Sequence, residues 1–253
     1  MITLYESILQ STKAGKRSLI EKWLSDTNKV CGPRNRQLKY KLTADYSIVV
    51  EDVCFYLSFE GYTILPDYIH FADYEGDLNI GKSGSFSEHK IDSFRGFPKK
   101  VKNMNLYCGT QTTYLPKLEI ELSERFLYSG PKVNTTEGIY IKFNTEENGN
   151  RNSRTIQIDF FDVNFTNWHV ENCKTINLKG DPRLAKNFAK IVNQKYTKLN
   201  SKTCPLEYPI EEKGAQQMET YFGDIDLSTV EYILLQDHIA IQKINGKFYK
   251  LRT

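Results

Sequence analysis

Apolar residues in this chain recur in short alternating triplets. Leu78-Asn79-Ile80, Met104-Asn105-Leu106, Phe126-Leu127-Tyr128, Ile139-Tyr140-Ile141, Ile156-Gln157-Ile158 and Ile176-Asn177-Leu178 follow one another at a roughly regular interval. A period of two is the pattern of a strand with one buried face, so the outer members of each triplet point inward and the centre points outward. Recurrence at a steady spacing predicts a stack of short strands in which each unit buries its face on the next. Ahead of the triplets, Leu38–Leu42 and Ile48–Val50 read as strands around an Ala44-Asp45 turn, and Val53–Leu57 as another. The polar run Glu146 to Ser153 reads as a hairpin tip or insertion.

The period changes to a helical one at three places. Thr3-Leu4-Tyr5-Glu6 is a capping-box pattern that opens a short helix with Leu4, Ile8 and Leu9 on one face. A second helix is predicted over Lys16–Leu24, with Leu19, Ile20, Trp23 and Leu24 at helical spacing and Gly15 separating the two. Asp181-Pro182 suits an N-cap and first turn, and Leu184, Phe188, Ile191 and Val192 follow as the apolar stripe of a closing helix. The tail predicts a short helix near Ala215–Tyr221 and strands at Val230–Leu235, Ile239–Ile244 and Phe248–Leu251. The last two flank Asn245-Gly246, a strong hairpin signal. The expected organisation is a helical cap or docking segment at 1–30, a strand stack with its closing helix at 31–200, and a small hairpin module at 201–253.

The stretch Ile91–Cys108 joins a Gly96-Phe97-Pro98 turn to the strand ending at Cys108. Ile91, Phe94, Gly96, Pro98, Val101, Met104, Leu106 and Cys108 follow the order and spacing of one repeat unit. In this the chain resembles the degenerate leucine-rich-repeat-like proteins of tailed bacteriophages and of Bacteroidetes-type bacteria. Tyr46–Val50, Leu65-Pro66 and Gly76–Ile80 upstream fit the same pattern, as does the opening Leu4–Leu9 with Trp23-Leu24, so the resemblance covers about the first half of the chain. It implies a mixed α/β fold: an irregular leucine-rich-repeat-like stack with an N-terminal helical cap, a closing helix and a small C-terminal module. It also implies a phage-encoded, non-enzymatic binding protein whose repeat surface meets a protein partner, either a host factor or a virion component. The expected location is the host cytoplasm or the virion.

Composition adds limits. With 253 residues, 40% hydrophobic and 26% charged, the chain is long enough for a sizeable core. A net charge of +3 argues against a dedicated nucleic-acid coat. Five widely spaced cysteines, Cys31, Cys54, Cys108, Cys173 and Cys204, form no C-x-x-C pair and predict reduced thiols in a reducing compartment. No apolar run is long enough to span a bilayer, so no membrane partner is expected, and no signal peptide is visible.

Two kinds of candidate chemistry remain. Arg34, Arg36, Lys39, Tyr40 and Lys41 interleave cations with an aromatic ring, as a phosphate-binding surface does. Lys186 and Lys190 lie on the polar face of the closing helix, which also reads as an ordinary solvated face. Together these patches define the alternative of nucleic-acid binding. Asp67, Glu88 and Lys90 fit the loose P-D…E-x-K pattern of magnesium-dependent nucleases, in which two carboxylates hold the metal and the lysine polarises water. That pattern is short, and Ser83–Lys90 reads as a loop rather than the strand such a site needs. Asp159 and Asp162 beside Phe160-Phe161 read as loop carboxylates. His70, His89, His169 and His238 have no zinc-like spacing, and Gly81–Ser85 lacks the preceding glycine of a phosphate loop. No cofactor and no resident metal are expected.

Overall fold

A computed structural model describes residues 12–27, 38–52, 56–59, 64–81, 91–109, 112, 114–130, 137–145, 153–159, 165–179, 206–210, 212–235 and 238–251. The short helix expected at Leu4–Leu9 and the closing helix expected after Asp181 lie outside these residues. Within them the fold is mixed α/β, with most elements strands.

The chain enters with helix α1, Lys13–Thr27. The Gly15 N–H donates to Thr12 Oγ1 at 3.1 Å and the Lys16 N–H to the Thr12 carbonyl at 2.9 Å. Thr12 is therefore the N-cap, and Gly15 sits inside the first turn instead of separating two helices. Ile20 and Leu24 are buried in the core, and Trp23 packs edge-on against Phe71 with ring centroids 6.3 Å apart. Helix α1 thus lays Ile20 and Leu24 on the core, with Trp23 partly buried beside them. A hairpin follows: β1 (Tyr40–Leu42) pairs antiparallel with β2 (Ile48–Val50).

The remaining strands are β3 (Tyr56–Phe59), β4 (Asp77–Ile80), β5 (Lys100–Tyr107), β6 (Leu118–Ser129), β7 (Ile139–Phe143), β8 (Thr155–Asp159), β9 (Trp168–Glu171), β10 (Thr175–Lys179), β11 (Leu206–Pro209), β12 (Tyr232–Leu235), β13 (His238–Ile244) and β14 (Lys247–Leu251). Helix α2, Glu212–Phe222, lies between β11 and β12. The strand expected at Val53–Leu57 runs instead to Phe59, which makes Leu57 and Phe59 its buried pair.

One row of the sheet is parallel from β3 through β4, β5, the second half of β6, β8 and β10 to β12. Its register stacks like on like. Leu57, Leu78, Met104, Phe126, Ile156, Ile176 and Ile233 are successive partners, and so are Phe59, Ile80, Leu106, Tyr128, Ile158, Leu178 and Leu235. A second row branches from the first half of β6, where Leu118 pairs with Ile139 of β7 and Ile139 with Trp168 of β9. Isolated parallel bridges, Ile48 to Phe71 and Val170 to Ile225, prolong the row. The inward residues of both rows fall in one buried cluster. Trp168 joins the rows, edge-on to Phe126 at 6.0 Å and to Tyr128 at 5.6 Å. Beyond β12 the sheet turns antiparallel through β13, β14 and β11. Asn245 and Gly246 both have positive φ, 49° and 79°, as the predicted two-residue turn requires. Strand β12 pairs with β10 across the expected boundary at 200/201. No described helix is long and apolar enough to cross a membrane.

The corner at Gly96 depends on glycine. Its φ is +85°, its carbonyl accepts from the Phe71 N–H at 2.8 Å, and a Cβ there would meet the Ile69 carbonyl oxygen. The polar triplet centres point outward as expected. They lie on the side of the sheet away from the ladder, yet Asn105 and Asn177 are buried. Asn105 donates to Asn79 Oδ1 and accepts from Arg125 Nη2, so neighbouring strands supply the partners of an outward-facing amide.

Three stability outcomes follow. Phe126→Ala empties the joint between rows and should cost about 3–5 kcal/mol in denaturant unfolding. Gly96→Ala should cost more than about 1 kcal/mol, because the left-handed backbone and the carbonyl contact are both incompatible with a Cβ. The third concerns pH. Burial pushes the Cys108 and Cys173 thiols up to about 12, against an ordinary value of 9.0. A group whose folded pKa is raised contributes stability below its unfolded pKa and loses it as pH rises through the folded one. The melting temperature should therefore fall from about pH 9 upward, and Cys108→Ala combined with Cys173→Ala should flatten that fall.

Candidate functional site

The alternation that fills the core also sets what the second row shows outside. In β6, β7 and β9 the apolar residues turn inward, so Glu119, Glu121, Tyr140, Lys142, His169 and Glu171 face outward. Register then sorts them into two columns across the strands. Glu119 pairs with Tyr140 and Tyr140 with His169; Glu121 pairs with Lys142 and Lys142 with Glu171.

The first column is built on an aromatic stack. The Tyr140 and His169 rings lie 4.5 Å apart and nearly parallel, at 10°. Lys117 Nζ sits over the Tyr140 ring at 5.3 Å and is ion-paired with Glu119. At the far end His169 Nδ1 faces Asp224 Oδ2 at 3.6 Å. The hydrogen bond between Lys117 and Glu119 holds the carboxyl below its ordinary pKa and raises that of the ammonium, so both stay charged near neutrality. The second column alternates in sign: Lys100 pairs with Glu121 at 3.1 Å and Lys142 with Glu171 at 3.8 Å. Between the columns lies a shallow groove of about 350 Å³, with Lys99 at its edge. Tyr140 remains 38% exposed at its centre. Such a surface offers a rigid ring, a cation and carboxylates at fixed spacing. It contains no nucleophile–base pair, and among the described residues no group of histidine, cysteine and carboxylate side chains could hold a metal.

The residues singled out from sequence fall elsewhere. Lys39 and Lys41 flank Tyr40 on β1, and strand alternation sends Tyr40 to the opposite side from the two lysines. Tyr40 packs against the core, where burial raises its pKa with Glu21 adding to the effect, while Lys41 is ion-paired with Glu51. Within β1, Tyr40 and Lys41 thus face opposite sides. Asp67 is ion-paired with Arg95, whose Nη2 also donates to the Leu65 carbonyl at 3.3 Å, so this carboxylate holds the Pro66 corner. Arg34, Arg36, Glu88, Lys90, Lys186 and Lys190 lie outside the described residues. Asp159 accepts from Gln157 Nε2 at 2.9 Å, and Asp162 is outside the described residues.

Sequence reasoning gave Tyr140 and Lys117 no functional role and weighed His169 only for zinc spacing. The signal was present: Tyr140 is the one aromatic centre among the alternating triplets, and a centre points outward. Its stacking on His169 needed the strand register.

No protein-family model matches this chain, no curated protein matches its sequence, and no solved structure matches its fold.

A double-mutant cycle on Tyr140→Ala and His169→Ala should give a coupling of about 0.5–1 kcal/mol in unfolding free energy. Tyr140→Ala alone should cost far less than a core truncation, because its ring is outside the ladder.

Proposed function

We propose that the chain is a leucine-rich-repeat-like, phage-encoded binding protein that presents the outer face of its second strand row to a protein partner. The observation that carries this reading is the half-exposed Tyr140 ring, clamped between His169 and Lys117 in the middle of a charge-balanced face. Tyrosine supplies large contact area at low entropic cost, and pre-clamping it removes what cost remains. Repetition of one strand unit supports the leucine-rich-repeat-like assignment, since each coil adds one more position to a continuous display surface. The partner is a host factor or a virion component, and the place of action is the host cytoplasm or the virion. Balanced charge favours protein over nucleic acid, because phosphate binding draws on an excess of cations.

Affinity capture from phage-infected host lysate tests the proposal, with binding of the purified partner then titrated against salt. The wild-type chain should retain one defined protein, and Tyr140→Ala should weaken it by at least about tenfold, as an aromatic hot spot does. Raising salt from 50 to 200 mM should change affinity by less than about tenfold, whereas a site making six to ten phosphate contacts would lose about 10³-fold or more. Partner retention by Tyr140→Ala, or the steeper salt response, would count against this face.

A further inference from the structure

A cleft of about 240 Å³ opens between the Gly96 corner and the first half of β6. Its walls come from both strand rows: Leu78 and Met104 from the first, Leu118 and Ile120 from the second, all of them buried. Phe97 closes it on the corner side, and the half-buried Phe94 stands at the opening. An apolar cavity of about 150 Å³ lined by leucine, isoleucine and phenylalanine stays dry and admits benzene. This cleft is larger and similarly lined, so its interior has room for a phenyl-sized apolar group. The Met104 thioether adds a polarisable surface that favours contact with an aromatic ring.

Charge at the opening is unequal. Arg95, Lys99 and Lys117 line it, against the single carboxylate of Glu119. Lys117 is ion-paired with Glu119, and Arg95 with Asp67, which stands beyond the lining. Three cations thus meet two carboxylates, and the cation left over is Lys99. It has no ion pair among the described residues, and its pull on the Glu119 carboxyl is minor beside that of Lys117. Lys99 is exposed and stands one residue before β5, where its carbonyl accepts from the Glu121 N–H at 2.8 Å, so the backbone that carries it is held. The larger cleft beside α2, about 630 Å³, lacks this inequality: Glu212 and Glu219 face Lys243 and Lys247 there, and neither sign of ligand is favoured.

We propose that the cleft between the Gly96 corner and β6 binds a small carboxylic acid with an apolar tail the size of a phenyl ring. The tail lies among Leu78, Met104 and Phe94, and the carboxylate meets Lys99. One negative charge matches the one cation in excess, and a charge-assisted contact at the rim of an apolar site is stronger than a neutral one. An amine with the same tail would bring a fourth cation to the opening, and like charges repel. A bare inorganic anion would leave the apolar walls unused.

The test uses the full chain with carbon-13 in its methionine methyl groups, read by NMR. Of the described methionines, Met104 and Met218, Met104 alone lines the cleft. Met104→Leu assigns its signal. Phenylacetate should shift the Met104 methyl saturably and leave that of Met218 in place. Phenethyl alcohol and phenethylamine, with the same ring and a neutral or cationic head, should bind at least about tenfold more weakly. Lys99→Met, a change at an exposed position, should bring phenylacetate down to the affinity of the alcohol and leave the alcohol itself unchanged. No Met104 shift with phenylacetate up to about 10 mM overturns the proposal. Equal binding of the alcohol or the amine overturns it too, as does a preference for the acid that survives Lys99→Met. Tyr140→Ala should leave phenylacetate binding unchanged, which separates failure of this cleft from failure of the strand-row face.

Discussion

Parallel register is the constraint on which the rest of this structure depends. Side chains alternate with a period of two along a strand, so a slip of one residue would turn a whole apolar set outward. Here each strand places its apolar pair directly on the pair before it, from Leu57 and Phe59 at one end to Ile233 and Leu235 at the other. The chain between strands is irregular in length, and β6 shifts register against β5 between Val101 and Asn103, yet the two apolar ladders stay in step. Burial, not connection length, holds the register, because only one alignment keeps both ladders out of water. The same alignment fixes the outside, so the Tyr140–His169 stack and the alternating charges are consequences of how the core packs.

Both ends of the parallel row are covered, and by different means. At the start, α1 and the β1–β2 hairpin lie on the core through Ile20, Leu24 and Ile48. At the other end, β12 changes partner type, pairing parallel with β10 and antiparallel with β13. A hairpin there turns a potentially open parallel edge into an antiparallel extension whose last strand, β11, is short and ends at Pro209. Short edges and proline both discourage further strand addition. The C-terminal segment thus continues the sheet, and the cleft beside α2 is a by-product of fitting a helix against that turn of direction.

The two surfaces differ in their physics. The Tyr140 face is flat, pre-clamped and neutralised within itself, so it offers area and shape. The α2 cleft is concave, with an apolar floor between Glu212 and Glu219 on one wall and Lys243 and Lys247 on the other. Cys108 and Cys173, the two described thiols, are buried, and burial keeps them protonated and unreactive.

The sequence by itself determined the elements and their buried faces. Triplets such as Met104-Asn105-Leu106 are legible because alternation is local, and the Asn245-Gly246 turn and the Gly96 corner are legible because backbone sterics are local too. Helix α1 was legible except at its start, where Thr12 and not Gly15 sets the boundary through a capping bond. What only the tertiary structure decided was which distant residues meet. Asp67 reads as a possible metal ligand until Arg95 is found beside it, and Tyr40 reads as part of a basic patch until alternation turns it to the core. Tyr140 and His169 are far apart in sequence and belong to unremarkable segments; the register between β7 and β9 stacks them. Periodicity carries information about the face a residue takes. It carries none about its neighbour across the sheet, because that is set by the packing of the whole ladder.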